Sequence, residues 1–231
     1  MGAGNNIPYA SDMMALLMLQ YGSPLFNDSG KVNFGVARGS GDFASPAEAA
    51  LDFYTSFAKP SHSHYAWQKE SAFTSEELFA QNKVGMLFGY AGTRGDLLKK
   101  NPRLRFAVAP MPQVKGTVFN KNYANYWGYG VYKNSKNKQI AWEFLNYLLT
   151  PPIQEYYGSV TQKASVVRSV IDTQQRNPDL KVFADQALTA VAVNQIDFMT
   201  LRTFFTEMIT SQISGDQSLR QTLLNTAAQL N

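Results

Sequence analysis

The stretch KNSKNKQIAWEFLNYLLTPPIQEYY, residues 133–157, carries the clearest local structure signals in the chain. A basic, Asn-rich turn comes first. Apolar residues then recur at the spacing of one helical face, at Ile140, Ala141, Phe144, Leu145, Leu148 and Leu149. Thr150 and Pro151 mark the start of a second helix, because proline fits the first turn of a helix. These signals predict an amphipathic helix whose apolar face needs a partner, followed at once by another helix.

Three short apolar stretches predict β-strands. KVGMLFGY (83–90) is almost entirely apolar, as a buried strand is. LRFAVAPMP (104–112) alternates large apolar residues with arginine and alanine, which is the period of a strand, until two prolines end it. YANYWGYGVY (123–132) leads directly into the opening stretch and is interrupted by two glycines.

Helix start and stop signals occur along the rest of the chain. The apolar patch from Met13 to Leu19 predicts a helix that ends at Tyr21 and Gly22, because glycine readily takes the left-handed cap conformation. A polar Gly/Ser loop over 35–45 ends in Ser45, a good N-cap for a helix over 46–59.

Further helices follow nearer the C-terminus. Thr74 or Ser75 caps a short helix, and others are expected near 178–190, over 198–213 and from Leu219 onward. The helix over 198–213 is expected to bury its apolar face, formed by Leu201, Phe204, Phe205, Met208 and Ile209. Long helices that alternate with short strands predict an α/β fold.

The composition favours a folded protein with polar and aromatic surfaces. Of 231 residues, 13% are aromatic and only 16% are charged, which is low for a soluble domain. Such surfaces suit sugars and other neutral polar ligands. The chain has no cysteine, which excludes disulfides, thiolate nucleophiles, cysteine metal sites and a lipid-anchoring cysteine. The apolar patch over 13–19 has neither the flanks of a signal peptide nor the length to cross a membrane.

Basic residues concentrate in the middle of the chain. Residues 83–138 carry a local net charge of +10, although the whole chain carries only +4. These residues are scattered over predicted strands and loops, and no nucleic-acid-binding motif accompanies them. We therefore expect no nucleic-acid partner, and the charge leaves an anionic small-molecule ligand open.

No motif predicts catalysis, a metal site or a cofactor. The sequence has no nucleophile motif, phosphate-binding loop or dinucleotide fingerprint. Glu76 and Glu77 fit the solvated start of a helix. His62 and His64 are the only histidines, and a zinc site needs more ligands than they supply. A glycan hydrolase needs two facing carboxylates, a pair that sequence alone neither shows nor excludes.

The order of these signals resembles the family 1 extracellular solute-binding proteins, the sugar-binding receptors of bacterial ABC importers. The resemblance rests on six segments in order, YGSPLFNDSGKV (21–32), SPAEAALDFYTSF (45–57), SEELFAQNKVGMLFGYAG (75–92), LRFAVAPMP (104–112), WGYGVYKNSKNKQIAWEFLNYLLTPPIQEYY (127–157) and ISGDQSLRQTLLNTAAQLN (213–231). One departure is Asn82, which stands where the family usually has glycine.

The resemblance implies an α/β, periplasmic-binding-protein-like (type II) fold. Residues 1–105 and 165–231 would form a discontinuous C-terminal lobe. Residues 112–160 would be a partial N-terminal-lobe segment, whose sheet is otherwise missing. The resemblance covers only the C-terminal two-thirds of a family member, which implies a truncated chain.

The resemblance also implies where a ligand binds. In the family it lies in a cleft between the lobes, stacked on aromatic rings and hydrogen-bonded by polar side chains. The positions that match are Tyr9, Tyr90, Arg94, Tyr126, Trp127, Asp197 and Phe198. Of Tyr126 and Trp127, one is expected to pack into the core. For Tyr9 packing alone, for Arg94 a solvated surface role and for Asp197 a simple N-cap remain open as alternatives.

The function that follows is non-catalytic capture of a carbohydrate or similar polar solute for a bacterial ABC importer. Its partners would be the small-molecule ligand and the transporter permease, and its place would be extracytoplasmic. Two alternatives stay open at this point. One is a scaffold without a ligand site, which predicts an exposed apolar face over 134–157 and self-association. The other is a glycan-acting hydrolase.

Overall fold

A computed structural model of the protein describes residues 1–34, 45–67, 71–117, 120–193 and 197–231, apart from the side chain of Phe198. Helices predominate in these ranges, at α1 (Ala10–Gln20), α2 (Pro46–Ser56), α3 (Ser75–Ala80), α4 (Ala91–Lys100), α5 (Lys138–Leu148), α6 (Pro151–Thr161), α7 (Arg168–Gln174), α8 (Lys181–Ala187), α9 (Phe198–Ser214) and α10 (Leu219–Leu230). Two strands, β1 (Asn122–Ala124) and β2 (Ala190–Ala192), pair with each other. Except for Ser45, the loop predicted over 35–45 lies outside the described residues.

The predicted helix signals are confirmed where the structure describes them. The Ser45 hydroxyl accepts a hydrogen bond from the backbone N–H of Glu48 and so caps α2, although α2 ends at Ser56, three residues earlier than expected. Thr74 and Glu77 form a complete capping box at α3. Helix α9 stops at Gly215, whose φ of +79° is a left-handed conformation that glycine adopts without strain.

The chain divides into two compact units. Unit 1 comprises residues 1–88, 112–123 and 191–231, and unit 2 comprises residues 89–111 and 124–190. The sequence placed 89–105 and 165–190 with the C-terminal lobe, whereas here they belong with 124–160. One reason lies in the buried Gln174, whose side chain bonds the backbone of Ser165 and of Lys163 and ties the end of α6 to α7. The assignment of the units to lobes stays a prediction.

Unit 1 is a helical packing around α9. Helix α9 contacts α1, α2 and α10, and α2 contacts α1 and α10. Phe205 of α9 is fully buried. Its ring meets that of Phe34 edge to face, with 5.8 Å between the centroids. Tyr54 of α2 is also fully buried and donates its hydroxyl proton to the carbonyl of Ala3 over 3.0 Å. Burial raises the pKa of Tyr54 far above its usual value, so its hydroxyl stays a donor.

The predicted strands over 83–90 and 104–109 are wrong for the chain as it is folded here. Both segments are described, yet neither forms a ladder, and Met86 is 83% exposed. Of the stretch 123–132, only its first two residues belong to a strand. A strand needs a partner backbone to satisfy its N–H and C=O groups, and the alternation of side chains cannot supply one.

Unit 2 leaves the apolar face of α5 exposed. None of the eleven residues of α5 is buried, and Ile140 is 67% exposed. The exposed large side chains continue into α6 and comprise Ile140, Trp142, Phe144, Tyr147, Leu149, Tyr156, Tyr157 and Val160. This surface is named the α5–α6 face below. Among the residues that the structure describes, no helix combines the length and the apolar character needed to cross a bilayer.

Replacing Phe205 by alanine removes the ring at the centre of unit 1. We expect this change to lower the free energy of unfolding by about 3–5 kcal/mol, because a fully buried phenylalanine leaves a cavity behind. Urea denaturation followed by circular dichroism measures the loss. Leu224→Ala on α10 is the control, since Leu224 is substantially exposed and should cost far less. Equal losses in the two variants would contradict this packing.

Lysine at Ile140 and Phe144 breaks up the α5–α6 face. We expect Ile140→Lys/Phe144→Lys to reduce fluorescence of the hydrophobic dye ANS and any concentration-dependent self-association, because both side chains lie on an exposed apolar surface. The matched control is Gln139→Lys/Asn146→Lys, which adds the same charge at exposed polar positions of α5. Dye binding that is weak in the parent and unchanged in both variants would show that this surface is covered in solution.

Candidate functional site

An open groove of about 330 Å³ lies in unit 1, between residues 4–11 and the first turns of α9. Eleven residues line it, Gly4, Asn5, Ile7, Pro8, Ala10, Ser11, Met199, Arg202, Thr203, Thr206 and Glu207. This surface is named the α9 groove. Its size is at the lower end of the range for small-molecule sites, and apolar and polar side chains are mixed in its wall.

Asn6 fixes the wall formed by residues 4–8. Its buried side chain accepts a 2.7 Å hydrogen bond from the Trp67 indole N–H and donates to the carbonyl of Ser71 over 3.2 Å. Its own carbonyl accepts the backbone N–H of Ser75 at the start of α3. Three hydrogen bonds to distant parts of unit 1 therefore hold Asn6 and leave Asn5 and Ile7 on the groove side.

Gly4 allows this wall to lie directly on α9. A Cβ atom at position 4 would lie 3.0 Å from the carbonyl oxygen of Thr206, 3.1 Å from its methyl group and 3.2 Å from the Thr210 hydroxyl. Those distances are shorter than ordinary contacts, and one of the three atoms belongs to the helix backbone, which cannot easily move. A side chain here would separate the wall from α9.

Helix α9 presents two different faces. Leu201, Phe205, Met208 and Ile209 are buried in unit 1, as the sequence predicted, whereas Phe204 is only half-buried. Four groove residues recur at helical spacing on a different side, at Met199, Arg202, Thr203 and Thr206. The packing of the apolar face therefore determines which polar residues line the groove.

The chemistry of the α9 groove suits a small polar molecule. Arg202 supplies a fork of N–H donors, and Glu207 supplies carboxylate acceptors. Within the described ranges neither side chain forms an ion pair, and both are exposed. Ile7 and Pro8 add an apolar surface to the same groove. One charged donor, one charged acceptor, hydroxyls and an apolar patch can bind the edge and the face of a polyhydroxylated ring.

Tyr9, Asp197 and Phe198 flank this groove in the chain. Tyr9 occupies the N-cap position of α1, between the groove residues Pro8 and Ala10. Asp197 is the N-cap of α9, and its carboxylate accepts from the N–H and hydroxyl of Thr200 at 2.9 and 3.1 Å. Asp197 therefore caps α9, and its predicted role as a ligand contact stays a prediction. Phe198 is the first residue of α9, and its side chain lies outside the described set.

Tyr90 and Arg94 belong to unit 2. Tyr90 occupies the N-cap position of α4. The Arg94 guanidinium lies 2.8 Å from the Asp179 carboxylate and donates to the Gln162 side chain over 3.4 Å. The ion pair engages one end of the fork, so Arg94 has a structural partner as well as its predicted ligand role.

Tyr126 and Trp127 are both exposed. Trp127 is 93% exposed and Tyr126 is 64% exposed, so the expectation that one of them packs into the core is wrong. Both lie in a segment without regular secondary structure that follows the short strand β1. Their predicted role as ligand contacts stays a prediction.

The histidine pair forms a ring contact. The rings of His62 and His64 lie 4.9 Å apart, and His64 stacks on Phe57 with 5.6 Å between centroids. In the part of the chain that the structure describes, no three side chains of the metal-binding types come together. His64 packs against Phe57, the residue at the C-cap of α2.

Sequence reasoning missed most of the α9 groove, including Asn5, Arg202, Thr203, Thr206 and Glu207. A usable signal was the polar side of the helix over 198–213, where Arg202, Thr203, Thr206 and Thr210 recur three or four residues apart. Such a side is usually only solvated. It becomes a wall here because residues 4–8 lie beside it.

Replacing Gly4 by alanine tests this close approach. We expect Gly4→Ala to lower the thermal unfolding midpoint and to change the NMR chemical shifts of Thr206 and Thr210, because the new methyl group displaces the wall from α9. Gly95→Ala on α4 is the control, since a Cβ atom there would meet nothing within 4 Å and alanine favours a helix by about 0.5–1 kcal/mol. A Gly4→Ala protein with unchanged shifts at both threonines would contradict the contact.

Comparisons with known proteins point to one family and one fold. The sequence profile of the bacterial extracellular solute-binding proteins matches residues 8–155. A comparison with curated proteins gives no match. An ABC transporter solute-binding protein from Thermotoga lettingae, solved with α-D-tagatose, is similar in structure with a TM-score of 0.73 and 18% sequence identity. All of this chain aligns with 58% of that one.

A second solved structure is similar to the same degree. It is a cyclo/maltodextrin-binding protein in complex with maltotetraose, with a TM-score of 0.74 and 17% identity, and 97% of this chain aligns with 57% of that one. The chain thus spans less than two-thirds of the length of these structures. At such low identity the likeness shows a shared fold, the periplasmic-binding-protein-like fold that the sequence predicted.

Proposed function

The chain belongs to the bacterial extracellular solute-binding proteins, and we propose that it captures a carbohydrate in the α9 groove as the non-catalytic binding component of an ABC importer. The groove itself is the observation that carries this proposal. It is an open cavity with a guanidinium, a carboxylate, hydroxyls and an apolar patch, in a family that binds solutes.

Carbohydrate is the ligand class that this lining fits best. A sugar hydroxyl both donates and accepts hydrogen bonds, so one ring can accept from Arg202 and donate to Glu207. The C–H face of a pyranose can lie on Ile7 and Pro8. The two solved structures with this fold hold α-D-tagatose and maltotetraose, which supports the same class.

Binding needs no chemical step by the protein. The polar groups of the groove replace the water around the ligand hydroxyls, and the fixed wall at Asn6 limits the conformational entropy lost on binding. Seven side chains stay predicted ligand contacts: Tyr9, Asp197 and Phe198, next to the groove in sequence, and Tyr90, Arg94, Tyr126 and Trp127 in unit 2. Release to a permease partner outside the cytoplasm follows from the proposed role in import.

Arg202→Ala tests the groove directly. We expect titration calorimetry with a panel of neutral mono- and oligosaccharides to show binding by the parent protein. Arg202→Ala should weaken it about ten- to a hundred-fold, because a hydrogen bond to a charged group contributes about 1.5–3 kcal/mol. Arg220→Ala on α10 is the matched control, an exposed arginine that does not line the groove.

The possible outcomes test the position of the binding site and the class of ligand separately. Sugar binding that is unchanged in Arg202→Ala would place the ligand elsewhere. No heat with any sugar would overturn the carbohydrate proposal. Turnover of a chromogenic glycoside panel would contradict non-catalytic capture and favour a glycan-acting hydrolase.

A further inference from the structure

We draw no further inference here: the strongest candidate, the exposed apolar α5–α6 face of unit 2, carries no proposal because nothing in the structure shows what covers it.

Discussion

The packing of α9 into unit 1 is the constraint on which the candidate site depends. Phe205, Met208 and Ile209 are buried, and they set the rotation of the helix about its axis. Since a helix repeats every 3.6 residues, this rotation also determines which residues lie on the side of α9 away from the core. Arg202 and Thr206 line a groove because the opposite face of their helix is in the core. The chemistry of the site is thus a consequence of hydrophobic burial some distance away.

One face of a helix forms a wall of a binding groove only when another segment of the chain lies beside it. Gly4 permits the chain to approach α9 within contact distance, and Asn6 holds it there through side-chain bonds to Trp67 and Ser71. These hydrogen bonds restrain residues 4–8, because moving the buried Asn6 amide away from its partners would leave donors and acceptors unpaired. A preformed wall also lowers the entropy lost when a ligand binds. The same residues therefore contribute to the stability of unit 1 and to the shape of the groove.

The two units differ in how far they bury their large apolar side chains. Unit 1 buries Phe205, Met208 and Ile209 in its helical core, whereas the α5–α6 face of unit 2 leaves eight large side chains exposed. The segments over 83–90, mostly in unit 1, and 104–109, in unit 2, have the composition of strands but no ladder. A local pattern of apolar residues shows only which side chains could lie on one face of a strand. A sheet also needs a second backbone at hydrogen-bonding distance. The unpaired segments over 83–90 and 104–109 are a consequence of that requirement.

By itself the sequence determined most of the helices, several of their caps and the family, but it did not predict α7. Ser45, the capping box at Thr74 and the glycine after Ser214 act within a few residues, so local chemistry suffices to predict them. The order of six segments predicted a fold that the structural likeness confirms. The tertiary structure alone decided which strands form, which residues make each unit and where the groove lies. Those features depend on contacts between residues far apart in the chain, such as Gly4 with Thr206, and no local pattern encodes the partner.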